Sequence, residues 1–153
     1  MIVEAFVKNG KPLVVAGTGT QLEEIREIAT DNIQVLGYVE DARVIALMQK
    51  AKAFIFAAYE DFGIVPVEAM ACGTPVIAYG KGGIIDTVYD GETGIFFDEQ
   101  TVSSLNNAIK KFEMMQFDHR AISKYASRFS NERFEKEVCK FIDKKWDVFL
   151  KNG

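Results

Sequence analysis

The sequence predicts an α/β protein built on a doubly wound parallel sheet. Short apolar runs alternate with longer segments of helical periodicity along the chain. The runs are apolar at successive positions rather than at every second position, as strands of a parallel sheet are when helices cover both of its faces. Strands that alternate with helices in this way form right-handed βαβ units, which wind into one sheet with helices on both sides.

Five strands are predicted from these runs. They cover residues 12–16, 33–36, 53–57, 75–78 and 94–97. Each run is rich in Val, Ile, Leu, Phe or Ala, and each is four or five residues long, which is the usual length of a strand. We therefore expect five buried strands in the order in which the runs occur.

The helices are predicted from apolar periodicity and from signals at their ends. Residues 20–23 have the Thr-x-x-Glu form of a capping box, so a helix should start at residue 20. Residues 41–50 carry Val44, Leu47 and Met48 on one helical face. The remaining helices are expected at 64–72, 101–112, 118–127 and 130–150.

The composition is that of one ordinary globular domain spanning residues 1–153. Hydrophobic residues make up 48% of the chain and charged residues 26%. A net charge of −4 argues against non-specific binding of nucleic acid, which needs a basic face. Cys72 and Cys139 lie far apart and lack metal-ligand spacing, so a reduced cytoplasmic compartment and no metal site are expected. No apolar run reaches the length that spans a bilayer.

The functional site is expected at the carboxyl ends of the strands, where ligands bind in doubly wound sheets. The loops expected at this edge are 17–20, 37–41, 58–63, 79–83 and 90–94. The loop after the third strand is the most informative. Gly63 stands at the start of the next helix, and Pro66 lies in its first turn, where the missing N–H costs little. The unpaired N–H groups and the positive dipole end of such a helix bind anions, and Gly63 lets an anion approach the backbone closely.

Two carboxylates flank this predicted anion site. Glu60 precedes it, and Glu68 lies about one turn into the helix, with its side chain inclined back toward the start. A phosphate would repel both groups, whereas sugar hydroxyls could donate hydrogen bonds to both. The arrangement suits a diphosphate with a sugar on each side, as in a nucleotide sugar. The spacing alone is weak evidence, because thirteen glutamates make one such pair expected by chance, and two solvated acids on a helix surface are the alternative.

The segment EDFGIVPVEAMACGTPV, with its E-x7-E spacing, resembles the signature of glycosyltransferase family 4, whose members are retaining enzymes of the GT-B fold. Other segments resemble that family in the expected order along nearly the whole chain. They are 14–19, 36–39, 82–88 with Asp86 where Glu is usual, 90–94 and 129–134. The residues of the signature are most similar to those of mannosyltransferases of surface-polysaccharide biosynthesis, so the resemblance favours GDP-mannose as donor.

The resemblance implies a role for each matching residue. The side chain of Glu60 would hold hydroxyls of the transferred sugar, which makes it the candidate catalytic residue. Glu68 would hold the nucleotide ribose. Other donor-binding residues would be Gly17, Tyr38, Val39, Phe62, Gly63 and Ile64. The implied reaction transfers a sugar from a nucleoside diphosphate to a glycan or lipid-linked acceptor with retention of configuration, without a cofactor or a metal.

The chain also departs from the family's pattern. The family has a strand ending in Gly-Arg, followed by a lysine, upstream of the helix that matches residues 2–7, and an acceptor-binding domain before that. We therefore expect a truncated Rossmann-like C-terminal half that lacks its first, central strand. The strands at 12–16 and 53–57 should have unpaired inner edges, unless they pair directly, take a strand from a neighbouring chain or are completed by upstream residues. Without the arginine and lysine, the chain alone should bind nucleotides weakly and transfer no sugar.

Two other functions remain open on the sequence. One is a stand-alone nucleotide-sugar-binding module without catalysis, and the other is a regulatory receiver or flavodoxin-like domain. A receiver needs acids clustered at strand ends, where this chain has Gly17, Gly37, Tyr59 and Gly80. Lys81 is a further candidate phosphate contact.

The last predicted helix has an apolar side suited to packing on this domain, on another domain or on a membrane surface at the inner face. This side comprises Phe134, Val138, Phe141, Ile142, Trp146 and Phe149.

Overall fold

The computed structural model describes residues 1–152 and the side chains of residues 1–150. All five strands occur within a residue or two of their expected positions. They are β1 (Leu13–Ala16), β2 (Ile33–Gly37), β3 (Phe54–Phe56), β4 (Val76–Tyr79) and β5 (Gly94–Phe97). The helices are α1 (Ile2–Asn9), α2 (Leu22–Ile28), α3 (Asp41–Lys50), α4 (Ile64–Ala71), α5 (Ile84–Thr87), α6 (Val102–Glu113), α7 (His119–Ala126) and α8 (Asn131–Asn152), with a 3-10 turn at Ser127–Phe129.

All strand pairs are parallel, but the sheet is divided. β1 pairs with β2, and β3, β4 and β5 form a separate three-stranded group with β4 in the centre. Within residues 1–152 no ladder joins β1 to β3, so the direct pairing of these strands considered above does not occur. Residues 2–9 form α1 rather than a strand. The inner edges of β1 and β3 are therefore unpaired in the described chain.

The core lies on both faces of β4, whose four residues are all buried. Val76 and Ala78 pack with residues of α4 and α7, such as Met70 and Ile122. The alternate residues of β4 face the other way and join a cluster built on α1, α6 and β5. The three-stranded group is thus covered by helices on both sides, which is the doubly wound arrangement that the sequence predicts.

The first strand differs from the expectation of a buried strand. Leu13 and Val15 are half-buried and pack against the core, whereas Val14 and Ala16 are exposed. The prediction was wrong for this strand because a run that is apolar at every position does not reveal whether a second layer covers its outer face. In the described chain, β1 has one covered face and one open face.

Two local features also differ from the sequence predictions. The capping box at 20–23 does not form, because α2 begins at Leu22 and its N-cap, Gln21, makes no side-chain hydrogen bond to the helix. The amide of Leu22 instead donates to the carbonyl oxygen of Gly19 at 3.2 Å. Helix α5 was not predicted, since its single turn of four residues is too short to show a helical period.

The described side chains of helix α8 are not buried against the rest of the domain. Every side chain described from residue 131 to 150 is exposed, including the apolar ones expected on one side. The alternative that this helix packs on its own domain is therefore wrong. No helix in the described part of the chain combines the length and apolar character that crossing a bilayer requires.

The central position of β4 predicts a large difference between two isoleucine substitutions. Ile77 is 1% exposed in β4, whereas Ile45 is 48% exposed on α3. Ile77→Ala should lower the free energy of unfolding by about 2–5 kcal/mol, because it leaves a cavity in the core. Ile45→Ala, the matched control, should change it by less than about 1 kcal/mol. Urea unfolding followed by circular dichroism measures both, and equal losses would contradict this account of the core.

Candidate functional site

The loop between β3 and α4 carries the central candidate residues. β3 ends at Phe56, and Gly63 is the N-cap of α4 with φ of +81° and ψ of 73°. Residues with a Cβ rarely adopt this left-handed conformation, so glycine is suited to this turn. A Cβ at Gly63 would lie 3.5 Å from ring atoms of Phe56 and from Pro66, which shows that the turn packs closely on the end of β3.

The start of α4 presents unpaired backbone donors. Over residues 1–152, the amides of Phe62, Gly63 and Ile64 donate none of the backbone hydrogen bonds found in turns, loops and caps. Pro66, in the first turn, has no N–H to satisfy. Unpaired amides at a helix start, together with the positive end of the helix dipole, attract an anion. Phe62 and Ile64 are exposed, so this helix start is open to solvent.

Both predicted carboxylates are exposed near this helix start. Glu60 lies three residues before the N-cap, in the loop at the carboxyl end of β3. Glu68 lies four residues after Ile64, about 6 Å along the helix axis. Neither carboxylate forms a salt bridge within the described residues. They are therefore free to accept hydrogen bonds from a ligand.

A second group of candidates follows β1 and β2. The amide of Gly17 donates to the carbonyl oxygen of Gly37 at 2.8 Å, which joins the turn after β1 to the last residue of β2. Gly17 has φ of +132°, and a Cβ there would have no heavy atom within 4 Å, so open space lies over this turn. Tyr38 is 78% exposed and Val39 is half-buried. The chain thus brings Gly17, Tyr38 and Val39 into one neighbourhood, carried by the two-stranded group.

The turn after β4 packs against the loop that carries Glu60. The amide of Gly83 donates to the carbonyl oxygen of Glu60 at 2.8 Å. The sequence analysis did not predict this contact. The two consecutive glycines, Gly82 and Gly83, could have indicated it, because glycine pairs allow two backbones to approach closely. Lys81, in the same turn, is exposed and its ammonium group lies 5.7 Å from the centre of the Tyr79 ring.

Two other parts of the fold bear on the site. The ring of Phe62 meets that of Phe129 edge-on, with 5.9 Å between ring centres, so the 3-10 turn before α8 supports the loop. The segment 90–94 precedes β5 and therefore lies at the amino end of that strand, away from the loops that follow the strands. The prediction that this segment contributes to the same edge of the sheet was wrong, because the segment precedes the fifth strand instead of following it.

The electrostatic effect of Glu68 reaches the other end of α4. Cys72 is the C-cap of this helix, one turn beyond Glu68, and its side chain is half-buried. Burial of the thiol raises the pKa of Cys72, and the negative charge of Glu68 raises it further.

Two surface depressions lie away from the candidate residues. One, of about 440 Å³, is lined by residues that include Lys50, Lys52 and Pro75, which precede β3 and β4. The other, of about 660 Å³, lies between the end of α4 and α7 and includes Cys72 and Arg120. Both are therefore near the amino ends of the strands, opposite the loops that carry Glu60.

Solved structures share this fold. The chain aligns with the lipopolysaccharide outer core galactosyltransferase WaaB at a TM-score of 0.79 and 18% identity, covering 94% of this chain and 44% of that one. A glycosyltransferase from Rickettsia africae aligns at a TM-score of 0.76 and 21% identity, covering 99% of this chain and 44% of that one. These similarities confirm the GT-B-type α/β fold.

Curated relatives are longer proteins that the chain matches in part. A glycogen synthase of Mycobacterium tuberculosis is 31% identical over 107 residues, which are 66% of this chain and 26% of the relative. A GDP-mannose-dependent alpha-(1-6)-phosphatidylinositol monomannoside mannosyltransferase of Mycolicibacterium smegmatis is 34% identical over 111 residues, which are 63% of this chain and 29% of the relative. The chain therefore spans about a quarter of the length of these relatives.

The family model described as glycosyl transferases group 1 matches residues 2–129, which include every candidate site residue. This match sets aside the receiver and flavodoxin alternative. The chain belongs to the glycosyl transferases of group 1.

Proposed function

We propose that this chain is the donor-binding domain of a retaining glycosyltransferase that uses a nucleoside-diphosphate sugar. The observation that carries the proposal is the start of α4, where unpaired amides at Phe62, Gly63 and Ile64 lie between two exposed carboxylates, Glu60 and Glu68. An anion with hydroxyl-bearing groups on both sides satisfies all of these groups at once. A nucleotide sugar has that order of groups: sugar, diphosphate and ribose.

The diphosphate would bind at the helix start. The three amides would donate hydrogen bonds to its oxygens, and the helix dipole would add about 0.3–1 kcal/mol at an exposed site. Hydrogen bonds that involve a charged partner contribute about 1.5–3 kcal/mol each. The amides would therefore contribute more than the dipole, and their direction would set the orientation of the phosphates.

The two carboxylates would bind the two sugars of the donor. Glu60 would accept hydrogen bonds from hydroxyls of the transferred sugar, because it lies in the loop before the anion site. Glu68 would accept hydrogen bonds from the ribose hydroxyls. Gly17, Tyr38 and Val39 would form the base pocket beside them, with the open space over Gly17 admitting the nucleotide.

The proposed chemistry is front-face transfer with retention of configuration. The leaving diphosphate would accept the proton of the incoming acceptor hydroxyl as the new glycosidic bond forms, so the proposed reaction uses neither a cofactor nor a metal. The acceptor, a glycan or a lipid-linked glycan, would be held by a second domain, and this positioning supplies much of the rate. The binding-module alternative predicts nucleotide-sugar binding without transfer, and an assay of transfer and donor hydrolysis distinguishes the two.

We propose GDP-mannose as the donor. The residues of the signature segment support GDP-mannose, because they are most similar to those of mannosyltransferases. The Mycolicibacterium smegmatis relative is also named as GDP-mannose-dependent. A solved structure of Anabaena HepE, 22% identical and with a TM-score of 0.67, is described in complex with UDP and glucose. Binding of GDP-mannose and UDP-glucose, measured side by side, tests the preference.

We place the protein in the cytoplasm, with the exposed apolar side of α8 available for the inner face of a membrane. Phe141 and Trp146 are both exposed on this helix, and aromatic side chains of that kind partition into the membrane interface. Flotation with vesicles tests the membrane contact.

The ribose role of Glu68 predicts a loss of nucleotide affinity. In a protein that joins this domain to its acceptor-binding domain, Glu68→Ala should weaken binding of the preferred nucleoside diphosphate by about 1–3 kcal/mol, as expected for the loss of a charged hydrogen-bond partner. Glu135→Ala, which removes an exposed glutamate from α8, is the matched control and should leave affinity unchanged. Calorimetry with GDP and UDP measures both variants. Unchanged affinity in Glu68→Ala would show that the ribose role is wrong.

The proposed contact of Glu60 with the transferred sugar predicts a different result. Glu60→Ala should lower kcat by more than it raises KM for the donor, because an interaction at the reacting sugar is made most fully in the transition state. Glu60→Gln keeps a hydrogen-bond acceptor and should retain more activity than Glu60→Ala. Steady-state kinetics of a protein that joins this domain to its acceptor-binding domain measures the difference. A rise in KM alone would contradict the assignment.

The charge of Glu68 also predicts the reactivity of Cys72. Glu68→Gln removes a negative charge that raises the pKa of this thiol, so the pKa should fall and more thiolate should be present at pH 8. Modification of Cys72 by a disulfide reagent should then be faster. The exposed Cys139 is replaced by serine in both proteins, so that one thiol is observed. An unchanged rate would show that the carboxylate of Glu68 lies too far from Cys72 to affect it.

A further inference from the structure

The backbone of the Glu60 loop is held by the glycine turn that follows β4. The amide of Gly83 donates to the carbonyl oxygen of Glu60 at 2.8 Å. Gly82, the preceding residue, has φ of +81°, and a Cβ there would lie 2.6 Å from the same carbonyl oxygen. Two consecutive glycines therefore meet one peptide group of the loop.

Gly83 is constrained by contact rather than by its own conformation. Its φ of −67° and ψ of −12° lie in the ordinary helical region, which any residue adopts. A Cβ at this position would nevertheless overlap the carbonyl oxygen of Asp61 and would lie 2.8 Å from the amide nitrogen of Phe62. Any larger residue at 83 must therefore displace the backbone of the loop that carries Glu60.

Packing also restricts the other end of the loop that carries Glu60. At its far end, Gly63 packs on Phe56 and Pro66, and the ring of Phe62 rests against Phe129. The Glu60 carboxylate itself is exposed, and within the described residues no ion pair orients it. The position of the Glu60 carboxylate therefore depends mainly on the conformation of the Glu60 backbone.

We propose that the Gly82–Gly83 turn is a positioning element that fixes the conformation of loop 60–63 and so places Glu60 against the transferred sugar. The proposal rests on the proposed function, since it assigns a further role within the same site. Gly82 and Gly83 act through the loop and have no side chain to touch the donor. The absence of a Cβ lets two backbones approach closely enough for the Gly83–Glu60 hydrogen bond to form.

The first experiment examines the loop without ligand. Gly83→Ala, Gly82→Ala and Gly91→Ala are compared with the unmodified chain by amide NMR and hydrogen exchange. Gly91 is the matched control for Gly82, because it has the same φ of +81° but nothing within 4 Å of a Cβ. The amide signals of residues 60–64 should shift in Gly82→Ala and Gly83→Ala only, and the amide at position 83 should exchange faster. If these signals move no more than in Gly91→Ala, the proposal is overturned.

The second experiment examines the donor. In a protein that joins this domain to its acceptor-binding domain, the ratio of the Kd for GDP to the Kd for GDP-mannose, with UDP and UDP-glucose in parallel, reports the contribution of the sugar contact. Gly83→Ala should weaken binding of the nucleotide sugar about tenfold more than binding of the nucleoside diphosphate, because displacement of Glu60 affects the sugar. A merely structural defect would weaken both ligands equally, and that result would overturn the positioning role.

The outcomes separate this proposal from the proposed function. If the loop signals move but a protein that joins this domain to its acceptor-binding domain binds no nucleotide sugar, the control of loop conformation stands and the donor-binding function falls. If nucleotide sugars bind and the Kd ratio is the same in all variants, the donor-binding function stands and the positioning role falls. Should Gly83→Ala fail to fold, Gly82→Ala against Gly91→Ala gives the same two readouts.

Discussion

The structure depends on the burial of β4 on both of its faces. Val76 and Ala78 face α4 and α7, while Ile77 and Tyr79 face the cluster of α1 and α6. Because apolar burial is the main favourable term in folding, a strand covered on both faces holds its neighbours β3 and β5 in register. The loops that follow β3 and β4 then leave the same edge of the sheet side by side, and this proximity allows the Gly83 amide to reach the Glu60 carbonyl oxygen.

The two halves of the candidate site are carried by strands that differ in how well they are packed. The half that contains Glu60, Gly63 and Glu68 follows β3, which pairs with the doubly covered β4. The half that contains Gly17 and Tyr38 rests on β1 and β2, where β1 has an open face and an unpaired inner edge. An exposed strand edge offers unpaired N–H and C=O groups to another strand. The phosphate and sugar contacts proposed for the donor therefore belong to the better packed half.

Within the described residues, the candidate donor site consists mainly of backbone amides and carboxylates. The start of α4 supplies amides, Glu60 and Glu68 supply acceptors, and Lys81 lies against Tyr79. Backbone amides have fixed directions, so a site of this kind depends on the exact course of the chain more than on side-chain rotamers. This dependence explains why glycines are found at each turn of the site: Gly17, Gly63, Gly82 and Gly83 allow conformations or approaches that a Cβ would prevent.

The sequence by itself determined the order of the five strands and of the longer helices, the α/β class, the family and the place of Gly63 at the start of α4. These features depend on local periodicity and on residues that are contiguous in the chain. Only the tertiary structure decided which faces are covered and which loops meet. An apolar run such as 12–16 does not indicate whether a second layer of the fold covers its outer face. The helical period of α8 does not indicate what the apolar side of that helix contacts. The contact of Gly83 with Glu60 joins residues 23 positions apart, and only the pairing of β3 with β4 brings them together, since a non-local approach of two backbones leaves no periodic mark in the sequence.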